Sequence, residues 1–169
     1  MLRDIRRIRT FLGYKGFQWE PVSYGQAGEE DPADFIASRG GEVCFCGTTL
    51  SIGKQLPYDG RAIKVVLDTG EKAARHTRLM GQVEAAVKPL HRAALEAGLP
   101  SVVAVVNHDP NHGFEDLPDL LKDPSAGVCP SVDLFIWFDD FRGDRMLYRR
   151  SDPTVYEMLF QWFNAADFL

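Results

Sequence analysis

The chain has 169 residues, 45% hydrophobic and 25% charged, with 15 Gly and 10 Pro. That fits one compact domain over 1–169 and excludes wholesale disorder, collagen and coiled coil. The net charge of −5 argues against a surface that grips nucleic acid over its whole extent.

The charge is uneven. Arg3, Arg6, Arg7 and Arg9 crowd the first nine residues against Asp4, and Arg145, Arg149 and Arg150 form a second basic group. From Asp109 to Asp144 nine acidic residues face only Lys122 and Arg142. A local basic patch is therefore compatible with the acidic total, and scattered surface arginines are the plainer reading. No apolar run approaches the ~18 residues of a membrane helix, so no membrane partner is expected. Met1–Arg7 lacks the apolar core of a secretion signal. The three cysteines, Cys44, Cys46 and Cys129, are odd in number. Together these features lead us to expect reduced thiols and a cytoplasmic protein.

In chain order, Leu2, Ile5, Ile8, Phe11 and Leu12 recur at helical spacing and Gly13 ends a short amphipathic helix. Phe17–Tyr24 reads as a strand, 25–32 as a turn region and Ala33–Ser38 as a second strand. Arg39-Gly40-Gly41 is a tight hairpin turn, which predicts that Glu42–Leu50 pairs antiparallel with the strand before it. Ser51–Gly60 reads as a loop and Ala62–Leu67 as a further strand. Leu79, Val83, Val87, Leu90, Ala94 and Ala97 give one apolar face to a helix over Glu71–Ala97, capped by Gly98 and stopped by Pro100. Pro89 predicts a kink in it. Val102–Val106 is apolar on both faces, as in the central strand of a covered sheet. Asp109–Pro130 reads as a surface segment around a short helix at Leu117–Lys122. Val132–Asp139 and Arg145–Arg149 form a hairpin about Asp140–Asp144. Asp152-Pro153 then opens a C-terminal helix with Asp as cap and Pro at its first position. The expected fold is an α/β sandwich: a mixed sheet with helices on both faces.

Asp34 opens one strand of a hairpin and lies beside the strand Glu42–Leu50. The arrangement resembles that of the PD-(D/E)XK nuclease family, and the element order over roughly Met1 to Asn107 is similar to its core. The resemblance implies that Asp34 and an acid of the next strand hold Mg²⁺, while a lysine two residues on helps to activate water. The chemistry is sound, because side chains two apart share a strand face and converge on one metal-bound phosphate. This chain departs from the pattern. Aligned by the acid the motif reads Glu42-Val43-Cys44, and aligned by strand centre it reads Cys46-Gly47-Thr48. Neither contains the lysine, and Lys54 falls in the following loop. The resemblance thus implies an eroded site, weakly active or inactive. If the chain cleaves, Asp34 and Glu42 hold Mg²⁺, Glu20 assists as a third carboxylate, and Cys46 and Thr48 occupy the remaining positions.

Other groups compete. Asn107-His108-Asp109-Pro110-Asn111-His112 follows the buried strand at the place where open α/β sheets collect ligands. There His108, Asp109 and His112 are candidate transition-metal ligands, or ordinary polar loop residues. Cys44 and Cys46, two apart and so expected on one strand face, are zinc candidates with Cys129 or a histidine, although the knuckle spacing of structural zinc is absent. The aromatic C-terminus, with Trp137, Phe141, Trp162 and Phe168, suits either a core or a homodimer interface. The alternative to a nuclease-like domain is therefore a non-enzymatic binding or self-association domain.

Overall fold

The computed structural model describes residues 2–22, 34–53, 69–114, 132–148 and 152–163. Its elements are α1 (Leu2–Tyr14), β1 (Gln18–Pro21), β2 (Asp34–Arg39), β3 (Glu42–Ile52), α2 (Thr69–Ala97), β4 (Ser101–Asn107), β5 (Leu134–Asp139), β6 (Arg145–Tyr148) and α3 (Pro153–Trp162). The strands form one six-stranded sheet in chain order. β1, β2 and β3 make an antiparallel meander, β3, β4 and β5 run parallel, and β6 returns antiparallel to β5. The mixed sheet with helices on both faces is the architecture that the patterning predicts. The expected strand Ala62–Leu67, the helix Leu117–Lys122, Lys54, Cys129 and Phe168 lie outside the described residues.

Two apolar layers hold the sheet. Leu79, Val83, Val87, Leu90 and Ala94 of α2 pack on Cys46, Val103, Val105, Phe135 and Trp137. On the opposite face, Ile8 and Leu12 of α1 and Leu159 of α3, with Phe163, cover Phe45, Val102, Ala104, Val106, Ile136 and Phe138. Every residue of β4 and of β5 is buried, which explains their unbroken apolar runs. α2 continues through Pro89 as one helix, with buried Val87 and Leu90 anchoring it on either side. Asp152 caps α3 by accepting from the amides of Thr154 and Val155, and Pro153 follows it.

Two glycine positions set the β2–β3 hairpin. Gly40 and Gly41 have φ of 61° and 83°, and Arg39 pairs with Glu42, so the turn is a two-residue one of the mirror-image type that suits strand twist. Gly47 faces Phe35 directly across the pair. A β-carbon placed there would stand 2.2 Å from Phe35 Cζ, so the absence of a side chain is what lets the ring lie flat over β3. Below the turn, Ala37 pairs with Phe45 but Ser38 pairs with Val43, leaving Cys44 as the extra residue of a bulge.

Because Phe35 is fully buried, Gly47→Ala should cost about 2–3 kcal/mol in urea unfolding, the usual penalty of overpacking. In a Phe35→Leu background the same substitution should cost clearly less, and a double-mutant cycle reads the difference.

Candidate functional site

The sheet face that α2 covers carries most of the nuclease-like candidates. Asp34 pairs with Thr48, Ile36 with Cys46 and Glu20 with Ile36, so Glu20, Asp34, Cys46 and Thr48 share this face. α2 packs over β3 and β4, and Glu20, farther out on β1, is exposed while Asp34 is half-buried. Thr48 Oγ1 donates to Asp34 Oδ1 at 2.6 Å. Glu20 is a diagonal neighbour of Asp34, about 7–8 Å away in such pairings.

Glu42 does not join them. It pairs with Arg39 at the turn end, six residues along β3 from Thr48, or roughly 20 Å at the rise of a strand. The antiparallel pairing itself places the first residue of β2 opposite the far part of β3, so Asp34 and Glu42 sit at opposite ends of the hairpin. The expected thiol pair also separates. The bulge at Cys44 changes the phase of the strand, so that Cys44 packs with the α1 layer and Cys46 with the α2 layer.

A denser polar constellation occupies the carboxyl ends of the parallel strands. Asp4 lies on the inner face of α1, one turn before Ile8, and is 5% exposed. Its Oδ2 accepts from the Ser51 hydroxyl at the end of β3. Its two oxygens stand 3.0 and 3.1 Å from Nε2 of His108, just past β4. The other ring nitrogen, Nδ1, meets Asp140, just past β5. Arg7 then bridges Asp140 at 3.0 Å and Asp144 at 3.4 Å. Carboxylates only accept, so bonding at both ring nitrogens requires the doubly protonated imidazolium. Burial by itself would push the pKa of His108 down, but hydrogen bonds to Asp140 and Asp4 and their charges outweigh it, and the value lies above 6.5.

A second network faces the other way. Asn107 Nδ2 is within hydrogen-bond distance of the Asp109 and His112 carbonyls and of Asp139 Oδ2, closing the 107–112 loop. Asp139, buried, also accepts from Trp137 Nε1 at 2.9 Å and from the Phe141 and Arg142 amides. Arg75 of α2 bonds Asp109 at 2.8 Å. His112 Nε2 stands 3.9 Å from Asp109, whereas His108 turns toward α1. The three expected loop ligands therefore do not converge, because successive residues past the strand point to opposite faces of the sheet. Among the described residues no group of three or more His, Cys, Asp or Glu side chains is placed to hold a metal ion.

The chemistry open to the His108 cluster is limited. Ser51 donates to Asp4, and both imidazole nitrogens are occupied by carboxylates, an arrangement that holds charge in place. The cluster fastens α1 to the ends of three strands. Asp4, Ser51, Asp139 and Asp140 are absent from the expectations drawn from sequence. Asp4 did leave a trace, as the one charged residue in the 4, 8, 12 row with Ile8 and Leu12. Comparison with protein-family models, curated proteins and solved structures returns no match.

His108 gains its partners only on folding, so its raised pKa has a defined sign for stability. The contribution should be complete below the ordinary histidine value of 6.5 and should fall as pH rises through the higher folded value. Urea midpoints measured from pH 6 to 9 check this. His108→Ala should flatten the dependence and cost about 3 kcal/mol, since it strands the buried Asp4 carboxylate.

Proposed function

We infer that this chain is a nuclease-like α/β domain in which metal-dependent phosphodiester cleavage has been lost, and that it acts by binding. The observation that carries the reading is the Thr48 hydroxyl donating to Asp34 at 2.6 Å. In the PD-(D/E)XK pattern this neighbourhood supplies a second acid and a lysine. Here the in-phase residues of β3 are Cys46, Thr48 and Leu50, and among the described residues the carboxylate beside Asp34 on that face is the diagonal Glu20. Mg²⁺ favours several oxygen ligands with water and phosphate, and this set offers it one half-buried carboxylate already engaged by a hydroxyl. Any cation held there is bound weakly, in the millimolar range. The domain works in the cytoplasm, with its thiols reduced.

Supercoiled plasmid incubated with Mg²⁺ or Mn²⁺ should remain uncut, at the same level for the native chain and for Asp34→Ala. Nicking that Asp34→Ala abolishes would overturn the reading.

Self-association is favoured by the outer face of α3, where Phe160 is 40% exposed and stacks on Tyr156 at 5.8 Å. Trp137 takes no part in it, being wholly buried under α2. Light scattering across a concentration series should give twice the 19.0 kDa chain mass, and Phe160→Ser should return the monomer.

A further inference from the structure

A groove of about 500 Å³ runs along the outer side of α1, within the size range of small-molecule sites. Its lining follows the helix at positions 3, 6, 7, 10, 11 and 14, a single stripe at helical spacing. The floor is apolar, made by Phe11 and Phe138, whose rings meet edge to face at 5.3 Å. Arg7 lies over Phe138 and is neutralised by Asp140 and Asp144, so the one acidic residue of the rim is already paired. Arg3 and Arg6 are different. Both are exposed, and no described carboxylate pairs with either. At the far end of the stripe Tyr14 is 89% exposed, leaving its ring open as a stacking surface.

Two guanidinium forks that no described carboxylate engages, a threonine hydroxyl at Thr10 and an open aromatic ring are spread along about 16 Å of helix. The forks match the oxygens of a phosphate, and a bare anion would leave Tyr14 and the apolar floor unused. A flat base joined to a phosphate uses both. We propose that this groove binds a nucleoside monophosphate, with the phosphate on Arg3 and Arg6 and the base against Tyr14. The site lies on the α1 face, opposite the Asp34 patch, and does not depend on that patch being inactive. It reconciles a chain of net charge −5 with a concentrated arginine stripe. The acidic remainder of the surface repels long polyanions, while the groove takes one phosphate.

Calorimetry on the full chain with AMP, adenosine and inorganic phosphate tests it. AMP should saturate the protein below about 1 mM, and adenosine or phosphate alone should bind at least about tenfold more weakly. The double substitution Arg3→Gln, Arg6→Gln should weaken AMP at least about tenfold, and Tyr14→Ala about tenfold. Raising the salt should weaken AMP but not adenosine. All three residues are exposed, so the circular dichroism of the variants should match the native chain. A 5′-phosphorylated trinucleotide bound as tightly as AMP identifies a strand end as the natural source, and one bound more weakly identifies the free nucleotide. Failure of AMP to saturate, equal binding of phosphate and AMP, or unchanged affinity in either variant would overturn the proposal.

Discussion

The imidazolium of His108, held between the carboxylates of Asp4 and Asp140, is the constraint from which the α1 side of the molecule follows. It joins a helix at the start of the chain to the ends of β4 and β5, segments separated by more than a hundred residues. An unpaired charge at the depth of Asp4 or His108 would cost several kcal/mol, and each of these two is tolerable only because the other is present. With Asp4 fixed, Ile8 and Leu12 one and two turns later must fall on the sheet, and Arg3 and Arg6 must face outward. The aromatic layer follows in turn. Phe11 stacks on Phe163, and Phe17 is wedged between Phe45, Trp162 and Phe163. The burial of α3 therefore rests on where α1 is pinned.

The two sides of the sheet are built differently. The α2 side is mostly aliphatic, with a 29-residue helix laid across the parallel strands. The α1 side is filled by rings, and it needs Gly47 to make room for Phe35. Large rigid rings fill a layer spanned by two short helices with few side chains, each burying about 150–250 Å². That same economy draws Phe135, Trp137, Phe138 and Phe163 into the core and leaves Phe141 and Phe160 partly in solvent.

Local signals were legible in the sequence wherever the deciding physics is local. Asp152-Pro153 marks the start of α3, Gly40-Gly41 the turn, and the unbroken Val102–Val106 run a strand covered on both faces. Each depends on a dihedral, a cap or a period. The nuclease-like candidates fared unevenly for the same reason. Thr48 meets Asp34 because antiparallel pairing fixes that partner once the turn is placed, and the same pairing carries Glu42 away. The bulge that turns Cys44 from Cys46 is set by packing on both faces at once, and alternation along a single strand does not contain it. The His108 cluster was the hardest to read. Its members come from four separate elements, and only Asp4, a charge in an apolar row, departs from its local pattern.

Among the described strands, both edges of the sheet are four residues long, and β1 ends on Pro21. Unpaired edge amides are templates on which a further chain can add, and short strands with a proline offer few of them. The strands with the unbroken apolar runs that would seed a fibril, β4 and β5, are enclosed two and one places in from the β6 edge. The protein therefore keeps its most adhesive sequences away from neighbouring molecules by strand order alone, and an accident that stripped β6 away would uncover β5 at once.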